Sequence, residues 1–149
     1  MLLAEKICLS AAFLFFMTGL LTGIWKYRHM AQSKEATSPA YVDIAHRSSL
    51  LYSFAALLLA AFSAHSVLPE WINVAAAVSA LAFFAFAIST YVLHGLLQDT
   101  DNQLRRPHRL GQRLLPPWIT GFSMMLLIVA EVGGTLVLGA GAMMGIWQS

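Results

Sequence analysis

The apolar positions of this chain come in four long runs. From Ile7 to Trp25 nineteen residues carry no formal charge, and from Ser48 to Leu68 another twenty-one follow before Pro69 ends the run. A third run extends from Trp71 to Leu97. A fourth, from Leu114 to Trp147, is opened by Pro116 and Pro117 and interrupted only by Glu131. Each run is long enough to cross a bilayer as a helix. The two prolines suit a helix start, where a missing N–H costs nothing. Backbone groups in hydrocarbon must bond within their own segment, so stretches this long and rich in Leu, Ala and Phe predict helices rather than barrel strands. The expected fold is all-α: an integral membrane four-helix bundle forming a single transmembrane domain over residues 1–149, with spans at about 7–25, 48–68, 71–97 and 114–147. The first run is too long for the apolar part of a signal peptide, Glu5 beside Lys6 leaves its start without a basic bias, and no small-x-small cleavage site follows closely. It is expected to remain as a span.

Composition narrows this further. Of 149 residues 58% are hydrophobic and only 11% charged, against about 25% charged in soluble domains. That excludes an ordinary soluble domain. The net charge of +2 is small, and its distribution speaks of topology rather than nucleic acid, for which no binding signal is present. Lys26, Arg28, Lys34 and Arg47 lie between the first two spans, Arg105, Arg106, Arg109 and Arg113 between the last two, and only Lys6 on the other side. By the positive-inside rule, loops 26–47 and 98–113 are cytoplasmic and both termini face outward, as for a protein of a bacterial inner membrane. Trp25, Trp71, Trp118 and Trp147 fall at span ends, the place of an interfacial aromatic belt. Cys8 is the single cysteine, so the chain has no internal disulfide and no thiolate metal site.

Within the spans, Gly19 and Gly23, and again Gly141 and Gly145, have the four-residue spacing that permits close helix approach, inside the bundle or between chains. Ionisable groups in hydrocarbon are costly and so informative. Glu131 lies thirteen residues past Trp118, about 20 Å along a helix and near the midplane. There it is a packing residue held neutral, or a proton donor or acceptor in a cavity. His46 at the start of span two and His94 near the end of span three should lie at similar depth. Two imidazoles on facing helices can share a heme or zinc site, although histidines at span ends also serve as interface anchors. Tyr91, three residues before His94, shares its helix face. His65 is about 28 Å from His46 along the helix and belongs to the opposite membrane face. Asp99 and Asp101, with His108 nearby, offer oxygen and nitrogen donors for a divalent cation. They match no calcium or zinc spacing, and beside four arginines they read equally as a self-neutralising loop. No phosphate loop, nucleophile elbow or zinc-protease pattern is present.

Span two opens Ala45-His46-Arg47-Ser48-Ser49-Leu50-Leu51-Tyr52, then Ala55-Ala56-Leu57. With four spans in a chain of this size, it resembles the styrene oxide isomerase and hydroxylaminobenzene mutase group. The resemblance implies that His46 is the axial ligand of a heme b at a subunit interface in a homo-oligomer, a trimer, whose ferric iron acts as a Lewis acid on an epoxide oxygen. Only His46 carries over by position. The family places an asparagine six residues later, where this chain has Tyr52. Six residues turn a helix by about 120° net, so His46 and Tyr52 would meet one substrate only in a site shared between subunits.

Two function classes follow. The first is a heme-dependent membrane isomerase of a small hydrophobic epoxide or hydroxylamine. Its cofactor is held by His46, with His94 as a second cofactor-binding candidate, its catalytic polar groups are Tyr52, Tyr91 and Glu131, and Phe83, Phe84 and Phe86 form an apolar wall. The second is a non-catalytic small membrane subunit, or an electron-transfer protein with a heme between His46 and His94.

Overall fold

A computed structural model describes residues 1–148 and turns the four apolar runs into helices: α1 (Leu3–Gln32), α2 (Ala40–His65), α3 (Glu70–Leu97) and α4 (Pro117–Gln148). All four are long and apolar enough to span a membrane. The molecule is an all-α four-helix bundle, as the run pattern predicts. Helices α1 and α2 overrun their apolar runs where they face each other, while α2 stops at His65, short of Leu68, and α4 begins at Pro117 rather than at Leu114. The 30 residues of α1 reach about 45 Å, against a hydrocarbon core of about 30 Å. The overhang is held by charge: Asp43 in the first turn of α2 meets Lys26 of α1 at 2.5 Å and Arg47 at 3.5 Å. His46 therefore lies more than a turn inside α2 rather than at its start. The 98–113 segment also carries an unforeseen hairpin, β1 (Arg109–Leu110) paired antiparallel with β2 (Arg113–Leu114). It turns through Gly111, whose φ of 61° a glycine adopts without strain.

The inner pair is α2 and α3, each of which packs against all three other helices, with α1 chiefly on α2 and α4 chiefly on α3. Their contact surface is built from small residues. Ala56, Ala60, Ala76, Ala77 and Ala80 are buried with Cys8, Leu59, Leu81, Phe84 and Leu138. Lipid tails are as apolar as leucine, so these helices adhere through close backbone approach rather than through exclusion of water. The bulky side chains point the other way: Phe13, Leu21 and Ile24 of α1 and Phe122, Val129 and Leu136 of α4 are exposed toward the membrane.

Polar side chains in the spans find partners nearby. Ser49, Ser63 and Ser89 each donate to the carbonyl four residues back, which removes the cost of an unpaired hydroxyl in hydrocarbon. At the opposite end of the bundle from the hairpin, the 66–69 turn is pinned by Asn73, which is fully buried. Its Oδ1 accepts from Ser66 Oγ at 2.9 Å and its Nδ2 donates to Leu68 O at 3.1 Å. The turn rests on the Gly141 and Gly145 notch of α4, and Val67 N–H donates to Gly141 O at 3.3 Å. The second glycine pair is thus filled within the chain. Glu70 accepts the Ala4 N–H at 2.9 Å, supplying one of the partners that the first turn of a helix lacks.

Gly134 and Gly133 make a matched test of close packing. A Cβ on Gly134 would stand 2.5 Å from Ala76 O and 2.9 Å from Ser79 Oγ, while one on Gly133 would meet nothing within 4 Å. Gly134→Ala is expected to force α4 off α3 and cost about 1–3 kcal/mol, read as a lower thermal midpoint in detergent. Gly133→Ala should leave the midpoint unchanged or slightly raised, since alanine is the better helix former. Equal effects of the two would refute the packing account.

Candidate functional site

His46 projects from α2 onto α1. Its ring lies over Gly23, where a Cβ would come within 2.9 Å of the imidazole, and its Nδ1 is 2.8 Å from Gly19 O. A carbonyl only accepts, so Nδ1 carries the hydrogen and the neutral ring keeps its lone pair on Nε2. A backbone carbonyl on one ring nitrogen is a common way to orient the other toward a metal. The Gly19 and Gly23 notch, read from the sequence as a close-approach device, is thus a seat for His46 and Leu50. His65 is exposed at the far end of α2.

Tyr52 of α2, Tyr91 of α3 and Glu131 of α4 come together inside the bundle. The two phenols interact through their hydroxyls, and Glu131 acts electrostatically on both. The Tyr52 ring is held flat on Phe84, with centroids 4.4 Å apart and planes at 24°. Glu131 Oε1 is buried without a hydrogen-bond partner. Three residues singled out separately along the sequence are brought together by three helices. The three phenylalanines do not form one wall, because successive residues turn by about 100°. Phe84 packs inward on Tyr52, while Phe83 and Phe86 face an apolar cleft of about 580 Å³ between α3 and α4, closed by Trp118 and Phe122.

His94 belongs to a different group. It is buried, and its Nδ1 lies 2.8 Å from Asp99 Oδ1. Its ring stacks beside Tyr41 at a centroid distance of 5.0 Å, and Tyr41 in turn lies 6.0 Å from Tyr91. Tyr41 and Tyr52 are eleven residues apart on α2, hence on nearly one face and separated by about 16 Å. Tyr91 lies between them on α3. A line of polar side chains therefore runs from Glu131 through Tyr52, Tyr91 and Tyr41 to His94 and Asp99. No hydrogen bond or ring contact among the described residues joins His46 to His94, which engage α1 and the 99–111 segment respectively.

The loop acids are committed elsewhere than to a cation. Asp99 takes donors from His94 and from Gly111 N–H, Asp101 pairs with Arg105 at 3.0 Å, and His108 Nδ1 lies 3.2 Å from Gln103 O. Among the described residues no group of three or more His, Cys, Asp or Glu side chains converges as for a metal ion. Tyr41, whose hydroxyl accepts Gln103 N–H at 2.6 Å, was not singled out from the sequence, where only its position eleven residues before Tyr52 hinted at a shared face. Trp25 is half-buried, its ring filling the space over Gly95, whereas Trp71, Trp118 and Trp147 are exposed.

Burial pushes the Asp99 carboxyl up, but the His94 and Gly111 donors outweigh it and hold the group below the usual carboxylate range. A carboxylate so lowered adds stability above its unfolded value of about 3.9, and that stability is lost as pH falls through the folded value. Asp99→Asn should therefore be less stable at pH 7 by about 2 kcal/mol, with the gap to wild type closing below about pH 4. Thermal melts in detergent across this range check it. A gap constant with pH would show that the charge on Asp99 contributes nothing.

Comparison of the chain with known proteins finds no match to a family model, to a curated protein or to a solved structure.

Proposed function

We propose that this protein is a heme-dependent membrane isomerase of a small hydrophobic epoxide or hydroxylamine, working as a homo-oligomer. The observation that carries the reading is the Nδ1–H of His46 on Gly19 O, which leaves Nε2 as a metal-ligating lone pair beside the α1 glycine notch. His46 is the residue that would hold the heme. Bound at His46, a ferric heme supplies Lewis acidity toward the substrate oxygen. The protein supplies the rest. Gly19 fixes the imidazole plane, and Tyr52 and Tyr91 offer hydroxyls that orient a polar substrate atom. Glu131, with Oε1 unpaired, holds or accepts a proton. Within one copy His46 faces α1 while Tyr52 faces α3, so the homo-oligomer of this proposal rests on the family resemblance. A trimer, as the family resemblance implies, is the expected assembly. The electron-transfer alternative needs His46 and His94 on one iron, whereas His46 engages α1 and His94 engages the 99–111 segment.

Protein purified after expression with ample heme should show a Soret band that His46→Ala loses and His65→Ala keeps. In the same preparations Glu131→Gln should keep the band and the fold while turnover of an aryl epoxide falls at least tenfold. A wild-type protein with no Soret band, or a His46→Ala variant that keeps it in full, would overturn the heme reading. Depletion by His94→Ala as well would favour electron transfer.

The orientation that goes with this reading puts the 33–39 and 98–116 connections in the cytoplasm of a bacterial inner membrane and both termini outside. Eight of the nine Lys and Arg residues lie at that end. A periplasm-active reporter fused after Ser149 should be active and one inserted near Gln103 silent. The reverse pattern would invert the topology.

A further inference from the structure

At the end of the bundle that carries both basic segments, a cavity of about 640 Å³ opens between the start of α2, the end of α3 and residues 99–109. Arg105, Arg106 and Arg109 line it together with Asp99 and Asp101. Both acids are committed, Asp99 to His94 and Gly111 N–H and Asp101 to Arg105. Arg106 and Arg109 have no carboxylate partner among the described residues. Three arginines against two carboxylates leave the lining with positive charge in excess, and two of the guanidinium groups border the concave space without a paired carboxylate.

The inner wall adds donors. Tyr41 is 5% exposed, and because its oxygen accepts Gln103 N–H, its own hydroxyl hydrogen remains to be donated. The first turn of α2 borders the same space and has no side-chain cap; Val42 and Asp43 N–H donate to Pro39 O, so the N–H groups of Ala40 and Tyr41 are the ones that add partial positive charge there. Guanidinium forks match the oxygens of a tetrahedral oxyanion, and the volume lies within the roughly 300–1,000 Å³ of small-molecule sites.

We propose that this cavity binds a phosphate-bearing anion, either the headgroup of a phospholipid or a soluble phosphate ester. The site is independent of the heme reading, since His46 lies on the α1 side of α2 and takes no part in it. Basic pockets between helix ends, at the level of the headgroups, are where membrane proteins hold anionic lipids.

The test uses the full chain, delipidated in an uncharged detergent. Inorganic phosphate is titrated calorimetrically against chloride at matched ionic strength. Mass spectrometry then measures lipid retained from mixed phosphatidylglycerol and phosphatidylcholine micelles. Wild type should bind phosphate saturably, retain phosphatidylglycerol selectively, or both. The double variant R106Q/R109Q should weaken that binding at least tenfold, and R106K/R109K, which keeps the charge but loses the forks, should fall between. Arg28→Gln, which removes one charge from α1 outside the cavity, should leave it unchanged. Circular dichroism and thermal melts confirm that each variant is folded. Selective lipid retention identifies a headgroup, and phosphate binding without it identifies a soluble ester. The proposal is overturned by the absence of both, by an unaffected double variant, or by an equal loss in Arg28→Gln, which would reduce the effect to diffuse surface charge.

Discussion

Helices immersed in hydrocarbon gain nothing from excluding water from one another, so this bundle depends on how closely its backbones approach. That constraint explains why the buried surface between α2 and α3 is mostly alanine and why the largest apolar side chains of α1 and α4 face outward. It also explains the glycine pairs. Gly141 and Gly145 let the 66–69 turn sit on α4, and Gly19 and Gly23 make room for Leu50 and His46 on α1. The candidate heme ligand is therefore held by the same device that assembles the fold, a missing side chain on the facing helix.

The second constraint is that a polar group in hydrocarbon is expensive unless it is bonded. Most are. Serine hydroxyls turn back to their own helices, Asn73 closes a turn, and Glu70 caps α1. Against that economy two groups stand out: the Nε2 of His46 and the unpaired Oε1 of Glu131, the latter near the Tyr52 and Tyr91 hydroxyls that engage each other. Glu70 Oε2 is unpaired as well, but its partner oxygen bonds Ala4 N–H and fixes that residue in a structural role. Glu131 has no such hydrogen bond among the described residues.

At the basic end of the bundle, water and charge replace hydrocarbon and the logic changes. Asp99 is held by His94 and by the N–H at the tip of the β1–β2 turn, so the hairpin, the end of α3 and the start of α2 form one braced wall. The line of tyrosines inside the bundle ends at that wall, through the contact of Tyr41 with His94. Tyr41, which lines the cavity and lies 6.0 Å from Tyr91, is thus the boundary shared by cavity and interior cluster.

The sequence by itself determined the membrane class, the number of helices and the residues worth weighing, because twenty-residue runs and lone ionisable groups within them are properties of the chain read in order. It singled out Tyr52, Tyr91 and Glu131 one by one, and it could not join them, since their proximity depends on the rotation of α2, α3 and α4 about their own axes. Nor could it say whether the glycine pairs serve the chain or a neighbour, or that Trp25 turns inward onto Gly95. Helix extent also escaped it: hydropathy marks where the lipid ends, while α1 and α2 continue through the Lys26, Asp43 and Arg47 pairs. Pairings such as Glu70 with Ala4, 66 residues apart, leave no local trace. Only the tertiary structure decides them, because they depend on which helix ends meet rather than on any pattern within a helix.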